Sequence, residues 1–167
     1  MSIQSIKSQI QASIDVKATL LSEDALMQQV FELAEKCTGA LRAGGKIIFC
    51  GNGGSFADAQ HLSAEFTSRF LFDRPGLASL ALGTNSSAMT AIGNDYGYEN
   101  VFAREIQAIA TPADVIIAIT TSGNSGNILK ALEAAEVANV PAVVLTGAGR
   151  GMLDDVTETL NTVSYTH

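Results

Sequence analysis

Four short apolar runs recur after Lys46, with helical segments between them. The runs are KIIFC, LASLAL, DVIIAIT and AVVLTG, and we expect a fifth run to begin at NTVSYTH. They are continuously apolar and do not alternate with polar residues, which is typical of strands buried on both faces. Strands that alternate with helices favour parallel βαβ units. The sequence therefore predicts an α/β fold, a doubly wound open parallel sheet over residues 45–167.

The first 44 residues predict two helices that precede the sheet. The first helix carries an isoleucine stripe at spacings of three and four residues, formed by Ile3, Ile6, Ile10 and Ile14. The second is expected to follow Ser22 as its N-cap and to end at Gly44 and Gly45. Neither helix is needed to connect strands, so we expect a helical arm whose stripe packs against a partner subunit. Packing within the chain is the alternative. A length of 167 residues suits one domain, residues 1–167.

Composition excludes several classes of protein. A net charge of −7 and a pI near 4.7 argue against a nucleic-acid-binding protein, which needs basic residues at the phosphate backbone. No apolar run has the length of a membrane span, and the N-terminus lacks a signal-peptide core. Cys37 and Cys50 form no CxxC motif, so we expect two buried thiols in a reducing compartment. These features predict a cytoplasmic protein with no membrane partner.

Two polar, glycine-bearing loops follow the first and third predicted strands. They are GNGGS, residues 51–55, and TSGNS, residues 121–125. In a sheet of strand order 2-1-3-4-5, ligands bind in the crevice between these two strands, where the order reverses. The coincidence of loops and crevice predicts the position of the site.

The second loop has the chemistry of a phosphate site. Thr120, Thr121, Ser122 and Ser125 offer hydroxyl donors, and the following helix presents unpaired N–H groups at its N-terminus. The alternative is that Ser125 or Asn127 only caps that helix. Capping does not require four hydroxyls, so we favour phosphate binding.

The first loop is weaker evidence by itself. Its glycines let backbone N–H groups approach a ligand, and Asn52 can hydrogen-bond a sugar hydroxyl. A strand-to-helix turn that simply needs glycine is the alternative. A further polar loop, IGNDYGYEN, offers Asn94 and Asp95 as candidate hydroxyl ligands, with turn formation as its alternative.

His61, Glu65 and Arg69 recur at intervals of four residues, so we expect them on one helix face. A histidine and a carboxylate one turn apart can hold a metal ion or place a general base beside a substrate. From the spacing alone, a solvated face with a Glu65–Arg69 pair is the simpler interpretation.

Taken together, CGNGGSFADAQHLSAEFTSRF, the GND of residues 93–95 and the TSGNS loop resemble the sugar isomerase (SIS) domain family. Within it they closely resemble the phosphoheptose isomerases, over nearly the whole chain. The resemblance implies an SIS-type sheet of flavodoxin-like order and conversion of sedoheptulose 7-phosphate into D-glycero-D-manno-heptose 7-phosphate. This reaction opens the heptose pathway to the lipopolysaccharide core. It also implies a homo-oligomer, most simply a tetramer.

The resemblance also assigns roles to residues. It implies that Glu65 is the catalytic residue and that His61 and Glu65 bind Zn²⁺, which reverses the simpler interpretation of that pair. The implied substrate-binding residues are Asn52, Gly53, Gly54, Ser55, Glu65, Asn94, Asp95, Thr120, Thr121, Ser122 and Ser125.

The sequence departs from the family pattern at its C-terminal end. The family continues into a fifth strand and a helix that carries a glutamine and a second histidine, whereas this sequence stops at NTVSYTH. We therefore expect the C-terminal strand and helix to be missing. Zinc binding should then be weak, and isomerisation slow or absent, unless His167 or another subunit completes the site. The alternative function is a non-catalytic SIS-domain protein that binds a sugar phosphate or a replication initiator. Proteins of that kind lack the helix glutamate, so Glu65 favours the enzyme.

Overall fold

The computed structural model describes residues 2–147, 151–153 and 158–161. It contains a five-stranded parallel sheet of order β2-β1-β3-β4-β5, which confirms the predicted fold class and strand order. The strands are β1 (Ile47–Gly51), β2 (Ser79–Ala81), β3 (Val115–Thr120), β4 (Ala142–Thr146) and β5 (Glu158–Asn161). The expectation that the C-terminal strand is missing was wrong, because β5 pairs in parallel with β4. It ends at Asn161, where the predicted fifth run begins, and residues 162–167 lie outside the described residues.

Helices flank the sheet in the order that βαβ units require. They are α1 (Ile3–Ser22), α2 (Asp24–Arg42), α3 (Gly54–Thr67), α4 (Ser86–Tyr96), α5 (Val101–Ile109) and α6 (Gly126–Val137). Two short 3₁₀ turns, Tyr98–Asn100 and Gly151–Leu153, precede α5 and follow β4.

Helices cover both faces of the sheet, and successive strand residues point to opposite faces. On one face, Ile48 and Ile116 belong to a cluster that also contains buried residues of α5 and α6. On the other face, Ile47 and Ile117 belong to a cluster with residues of α2 and α3. This arrangement explains why the strand sequences are continuously apolar, and it confirms the doubly wound architecture.

The N-terminal helices form as predicted, but their junction differs. Ser22 is the last residue of α1 and its hydroxyl donates to the Thr19 carbonyl, so it is not the N-cap of α2; Glu23 occupies that position. The N-cap prediction was wrong because helical backbone continues through Ser22. The isoleucine stripe of α1 is 47–75% exposed in the single chain.

A buried carboxylate joins the N-terminal ends of β1 and β3. Asp114 accepts hydrogen bonds from the Lys46 ammonium at 2.6 Å, the Lys46 N–H at 2.8 Å and the Thr111 N–H at 2.7 Å. Burial raises the pKa of the Asp114 carboxyl, but these bonds outweigh it and leave the pKa below its usual range. The network fixes the strand ends opposite the predicted ligand crevice.

Both cysteines are buried thiols, as predicted. Burial raises the pKa of Cys50 to about 12, so it stays protonated and unreactive at neutral pH. Among the described helices, none is both long and apolar enough to cross a membrane.

Candidate functional site

The turn after β1 is tightly packed. A Cβ on Gly51 would lie 2.6 Å from the Ser55 carbonyl oxygen, so only glycine fits where the strand enters α3. Gly53, at the N-cap of α3, has a φ of 56°, which favours glycine. The turn thus needs its glycines for geometry, and the same geometry leaves Gly53 and Gly54 exposed at the start of α3.

The loop after β3 places hydroxyl groups around the N-terminus of α6. Thr120 is buried and accepts a hydrogen bond from the Gly123 N–H at 3.3 Å, while Ser122 accepts one from the Asn124 N–H at 3.2 Å. Ser125 is the N-cap residue of α6, yet within the described chain its hydroxyl makes no capping hydrogen bond. The alternative that Ser125 serves as a side-chain cap is therefore wrong for this structure, and its hydroxyl remains available to a ligand.

The 3₁₀ turn after β4 packs on this loop. The Met152 N–H donates to the Asn124 Oδ1 at 3.1 Å and to the Gly123 carbonyl at 3.2 Å. A Cβ on Gly151 would lie 2.6 Å from the Ser122 carbonyl oxygen, and its φ is 58°. Residues 151–153 therefore help to set the shape of the β3–α6 loop, a contact that no local motif indicates.

Two asparagines join the β1 and β3 loops. Asn52 Nδ2 donates to Asn127 Oδ1 and Asn127 Nδ2 donates to Asn52 Oδ1, each at 2.8 Å. The Tyr98 hydroxyl also donates to Asn52 Oδ1, at 3.3 Å. Asn127 is only 4% exposed. The predicted crevice between β1 and β3 is therefore bridged by side chains from both loops.

The segment predicted as a polar loop around Asn94 is helical. Asn94 and Asp95 lie in the last turn of α4, and the Asn94 Nδ2 donates to the Asp95 Oδ1 at 2.8 Å. The loop prediction was wrong because Asn85 caps α4 and the helix continues through the polar residues to Gly97, whose φ is 86°. Both side chains are exposed, close in sequence to Tyr98.

The turn before α4 is fixed from α5. Gly83 has a φ of 81°, and its N–H donates to the Glu105 Oε2 at 2.6 Å. Burial raises the pKa of the Glu105 carboxyl, although the Gly83 hydrogen bond acts in the opposite direction. Glu105 thus supports the connection that leads into the helix carrying Asn94 and Asp95.

His61 and Glu65 form the predicted pair on α3. The His61 Nε2 lies 3.6 Å from the Glu65 Oε1, and the two side chains are 73% and 31% exposed. At about 1.5 Å per residue, Glu65 lies roughly 16 Å along the helix from its start at the crevice. The structure therefore does not bring Glu65 against the β3–α6 loop of the same chain.

Arg69 does not share the α3 face with Glu65, contrary to the prediction. The helix ends at Thr67, because the chain leaves helical geometry at Ser68. Arg74 binds the end of the helix instead, donating to the Glu65 and Phe66 carbonyls at 2.8 and 2.9 Å. Glu65 also lines an open, largely apolar pocket with Phe66, Phe70 and Leu77, among others.

Two side chains, His61 and Glu65, are the predicted metal ligands that lie together in this structure. Zinc sites normally draw three or four protein ligands. No group of three or more histidine, cysteine, aspartate or glutamate side chains with metal-binding geometry occurs in the part of the chain that is described. His61 and Glu65 are spaced to share an ion, but the described residues alone do not complete a zinc site.

Sequence reasoning missed three contributors to this region. Asn127 was considered only as a cap, Tyr98 was not considered, and the 151–153 turn has no recognisable motif. Only the position of Asn127, directly after a hydroxyl-rich loop, gave any signal that it could face the crevice.

Comparison with known proteins agrees with this architecture. A family model described as the SIS domain matches residues 12–147. A phosphoheptose isomerase from Aneurinibacillus thermoaerophilus is 53% identical over 148 residues, which cover 89% of this chain and 75% of the relative. The solved structure of phosphoheptose isomerase GmhA from Neisseria gonorrhoeae matches with a TM-score of 0.85 and 38% identity, covering 98% of this chain and 87% of that one. That of a phosphoheptose isomerase from Francisella tularensis matches with a TM-score of 0.88 and 32% identity, covering 99% and 88%.

Proposed function

The chain belongs to the SIS domain family and, within it, to the phosphoheptose isomerases, and we propose that it interconverts sedoheptulose 7-phosphate and D-glycero-D-manno-heptose 7-phosphate. This is an aldose–ketose isomerisation in heptose phosphate metabolism, and we place it at the start of the route to the lipopolysaccharide core. Relatives at about half identity carry the isomerase name, which favours the enzyme over the non-catalytic alternative.

The observation that carries the proposal is the meeting of two polar loops at the crevice between β1 and β3. The Ser125 hydroxyl and the first N–H groups of α6 are donors suited to a phosphate dianion, and they need no lysine. The Lys130 ammonium is 3.3 Å from the Asn100 Oδ1, a contact outside this loop. We assign the phosphate to Thr120, Thr121, Ser122 and Ser125, and the sugar to Asn52–Ser55, Asn94 and Asp95.

Glu65 is the proposed general base. The reaction moves a proton from C1 of the ketose to C2 through an enediol, and a carboxylate can accept and return that proton. C1 and C2 lie at the opposite end of the sugar from the phosphate on C7. An extended seven-carbon sugar phosphate is shorter than the roughly 16 Å between the crevice and Glu65 of the same chain. The proposed role therefore requires Glu65 to come from a neighbouring subunit of the proposed oligomer.

We propose His61 and Glu65 as two zinc ligands. A bound zinc ion would polarise substrate oxygens and so favour loss of the C1 proton. The remaining ligands must come from outside the described residues or from a partner subunit, so our mechanism contains no step that depends on the metal.

We further propose a homo-oligomer, with the tetramer implied by the family resemblance. The exposed isoleucine stripe of α1 supports this, because half-exposed isoleucines along one helix face are costly in water. Light scattering at micromolar concentration tests it, and a monomer would contradict it. A cytoplasmic location stays a prediction.

The decisive experiment for function follows sedoheptulose 7-phosphate by NMR in the presence of the chain, with and without added zinc. We expect the C1 signal of the aldose product to appear. Fructose 6-phosphate serves as the comparison substrate. Absence of turnover with zinc present, both in this chain and in one that carries the family's C-terminal segment, would refute the isomerase, and binding of sedoheptulose 7-phosphate without turnover would favour the non-catalytic alternative.

A further inference from the structure

The side-chain carbonyl oxygen of Asn52 has both of its acceptor positions occupied. One hydrogen bond comes from Asn127 Nδ2 at 2.8 Å and the other from the Tyr98 hydroxyl at 3.3 Å. An amide oxygen has two lone pairs, so neither remains for a ligand. On the nitrogen, one proton is donated to Asn127 Oδ1 at 2.8 Å, which leaves the second for a ligand. Asn52 therefore has one free N–H donor and no free acceptor for a ligand in the crevice.

The hydrogen bonds to Asn127 keep the Asn52 amide from exchanging the positions of its oxygen and nitrogen. A free asparagine side chain can rotate by half a turn and exchange its oxygen and nitrogen. Rotation of Asn52 alone would set nitrogen against nitrogen and oxygen against oxygen, and both 2.8 Å bonds would be lost. A half-turn of both amides together would restore the pair, but Asn127 is 4% exposed and would have to rotate inside the packed first turn of α6. It would also leave the Tyr98 hydroxyl facing the Asn52 nitrogen in place of its oxygen.

We propose that Asn127 and Tyr98 are positioning residues that dedicate the Asn52 amide to donating a hydrogen bond to an acceptor oxygen of the sugar. The inference rests on the proposed function, since it takes Asn52 as a sugar contact. Neither residue touches the substrate in this scheme. The phosphate is held separately by the β3–α6 loop, so the two halves of the ligand depend on different side chains.

This separation gives the positioning role a signature that a structural role lacks. Asn127→Ala removes both bonds to Asn52 but keeps a good helix-forming residue in α6. Loss of positioning should weaken handling of the sugar and leave the phosphate site intact. Loss of structure would damage both, because Asn127 lies in the first turn of the helix whose N–H groups bind phosphate.

The test compares Asn127→Ala and Tyr98→Phe with Gln107→Ala, an exposed substitution on α5, in the full chain. We expect Asn127→Ala to lower kcat/KM for sedoheptulose 7-phosphate by about tenfold or more, and Tyr98→Phe by about two- to fivefold. The Kd for inorganic phosphate should stay within about twofold in both variants, and Gln107→Ala should match the wild type. Unchanged kcat/KM in Asn127→Ala, or an equal loss of phosphate affinity, would overturn the proposal. Should Asn127→Ala fail to fold, Tyr98→Phe decides, because Tyr98 is 56% exposed and its substitution leaves the core intact. An unchanged kcat/KM in Tyr98→Phe also overturns the proposal.

A ligand-free measurement separates this inference from the proposed function. The side-chain amide signals of Asn52, identified by their loss in Asn52→Ser, should shift and exchange faster with solvent in Asn127→Ala. Signals that do not respond would overturn the pairing even in an active enzyme. A wild-type chain that shows the response but never isomerises the substrate would instead overturn the proposed function and, with it, the sugar role of Asn52.

Discussion

Ser125→Ala gives the sharpest test of the phosphate site. The Ser125 hydroxyl is at the N-cap of α6 but makes no capping hydrogen bond among the described residues. Its removal should therefore cost the free protein little, within about 0.5 kcal/mol of unfolding free energy. A serine that did cap the helix would cost about 1 kcal/mol when replaced by alanine.

The expected loss in binding is much larger than the loss in stability. A hydrogen bond to a charged group contributes about 1.5–3 kcal/mol, and each 1.4 kcal/mol is tenfold in Kd. Ser125 is half-buried, so water can replace part of the lost bond and the lower end applies. We expect Ser125→Ala to weaken phosphate binding by about tenfold, and Ser122→Ala with Ser125→Ala by roughly a hundredfold or more.

Calorimetry measures this with two ligands. Inorganic phosphate reports the loop alone, and sedoheptulose 7-phosphate is titrated into a Glu65→Gln background so that no turnover occurs. Ser8→Ala, an exposed serine on α1, is the matched control and should change neither affinity nor thermal stability. An affinity within twofold of the wild type would refute the phosphate assignment. A fall in melting temperature with unchanged affinity would show that Ser125 acts as a cap after all.

Four other predictions follow from the structure. The glutamine of Glu65→Gln cannot accept a proton at neutral pH, so kcat should fall by roughly 10²–10⁴ while substrate affinity is retained. Near-normal turnover in steady-state kinetics would mean that another residue is the general base. His61→Ala removes one of only two described zinc donors, so zinc stoichiometry by elemental analysis should fall, and retained metal would place the ligands at other residues. Asp114→Asn should lower the unfolding free energy by on the order of 3 kcal/mol at pH 7, because it leaves Lys46 without its buried partner. The Asp114 pKa is depressed in the folded state, so this stabilisation is present above the unfolded pKa near 4 and is lost as pH falls through the folded pKa. Denaturant titrations should therefore show the unfolding free energies of wild type and Asp114→Asn converging in acid. A difference that stays constant with pH would contradict this explanation. Gly151→Ala places a Cβ 2.5 Å from the Asn124 Oδ1 at a residue with positive φ, so it should displace the β3–α6 loop. Calorimetry should then show phosphate binding weakened several-fold. Unchanged affinity would mean that the loop keeps its shape without the contact from residues 151–153.

The sheet could be predicted from the sequence because its signal is local. Each strand is a continuous apolar run, and burial on both faces is the only arrangement that removes all of that surface from water. The strand order 2-1-3-4-5 was then enough to locate the crevice. Boundaries were harder to predict. Ser22 and Asn94 are residues typical of caps and turns, yet helical backbone continues through both of them.

The polar contacts of the site could not be predicted, because their partners are far apart in the sequence. Asn127 directly follows a helix start, so local reasoning can give it only a cap, whereas its actual partner, Asn52, is 75 residues away. Tyr98 reaches the same amide from a 3₁₀ turn that no pattern connects to either loop. A residue list can therefore place Asn52 beside a ligand but cannot say whether it donates or accepts. That property belongs to the three side chains together, since Asn127 and Tyr98 occupy three hydrogen-bonding positions of Asn52 and leave one N–H for a ligand.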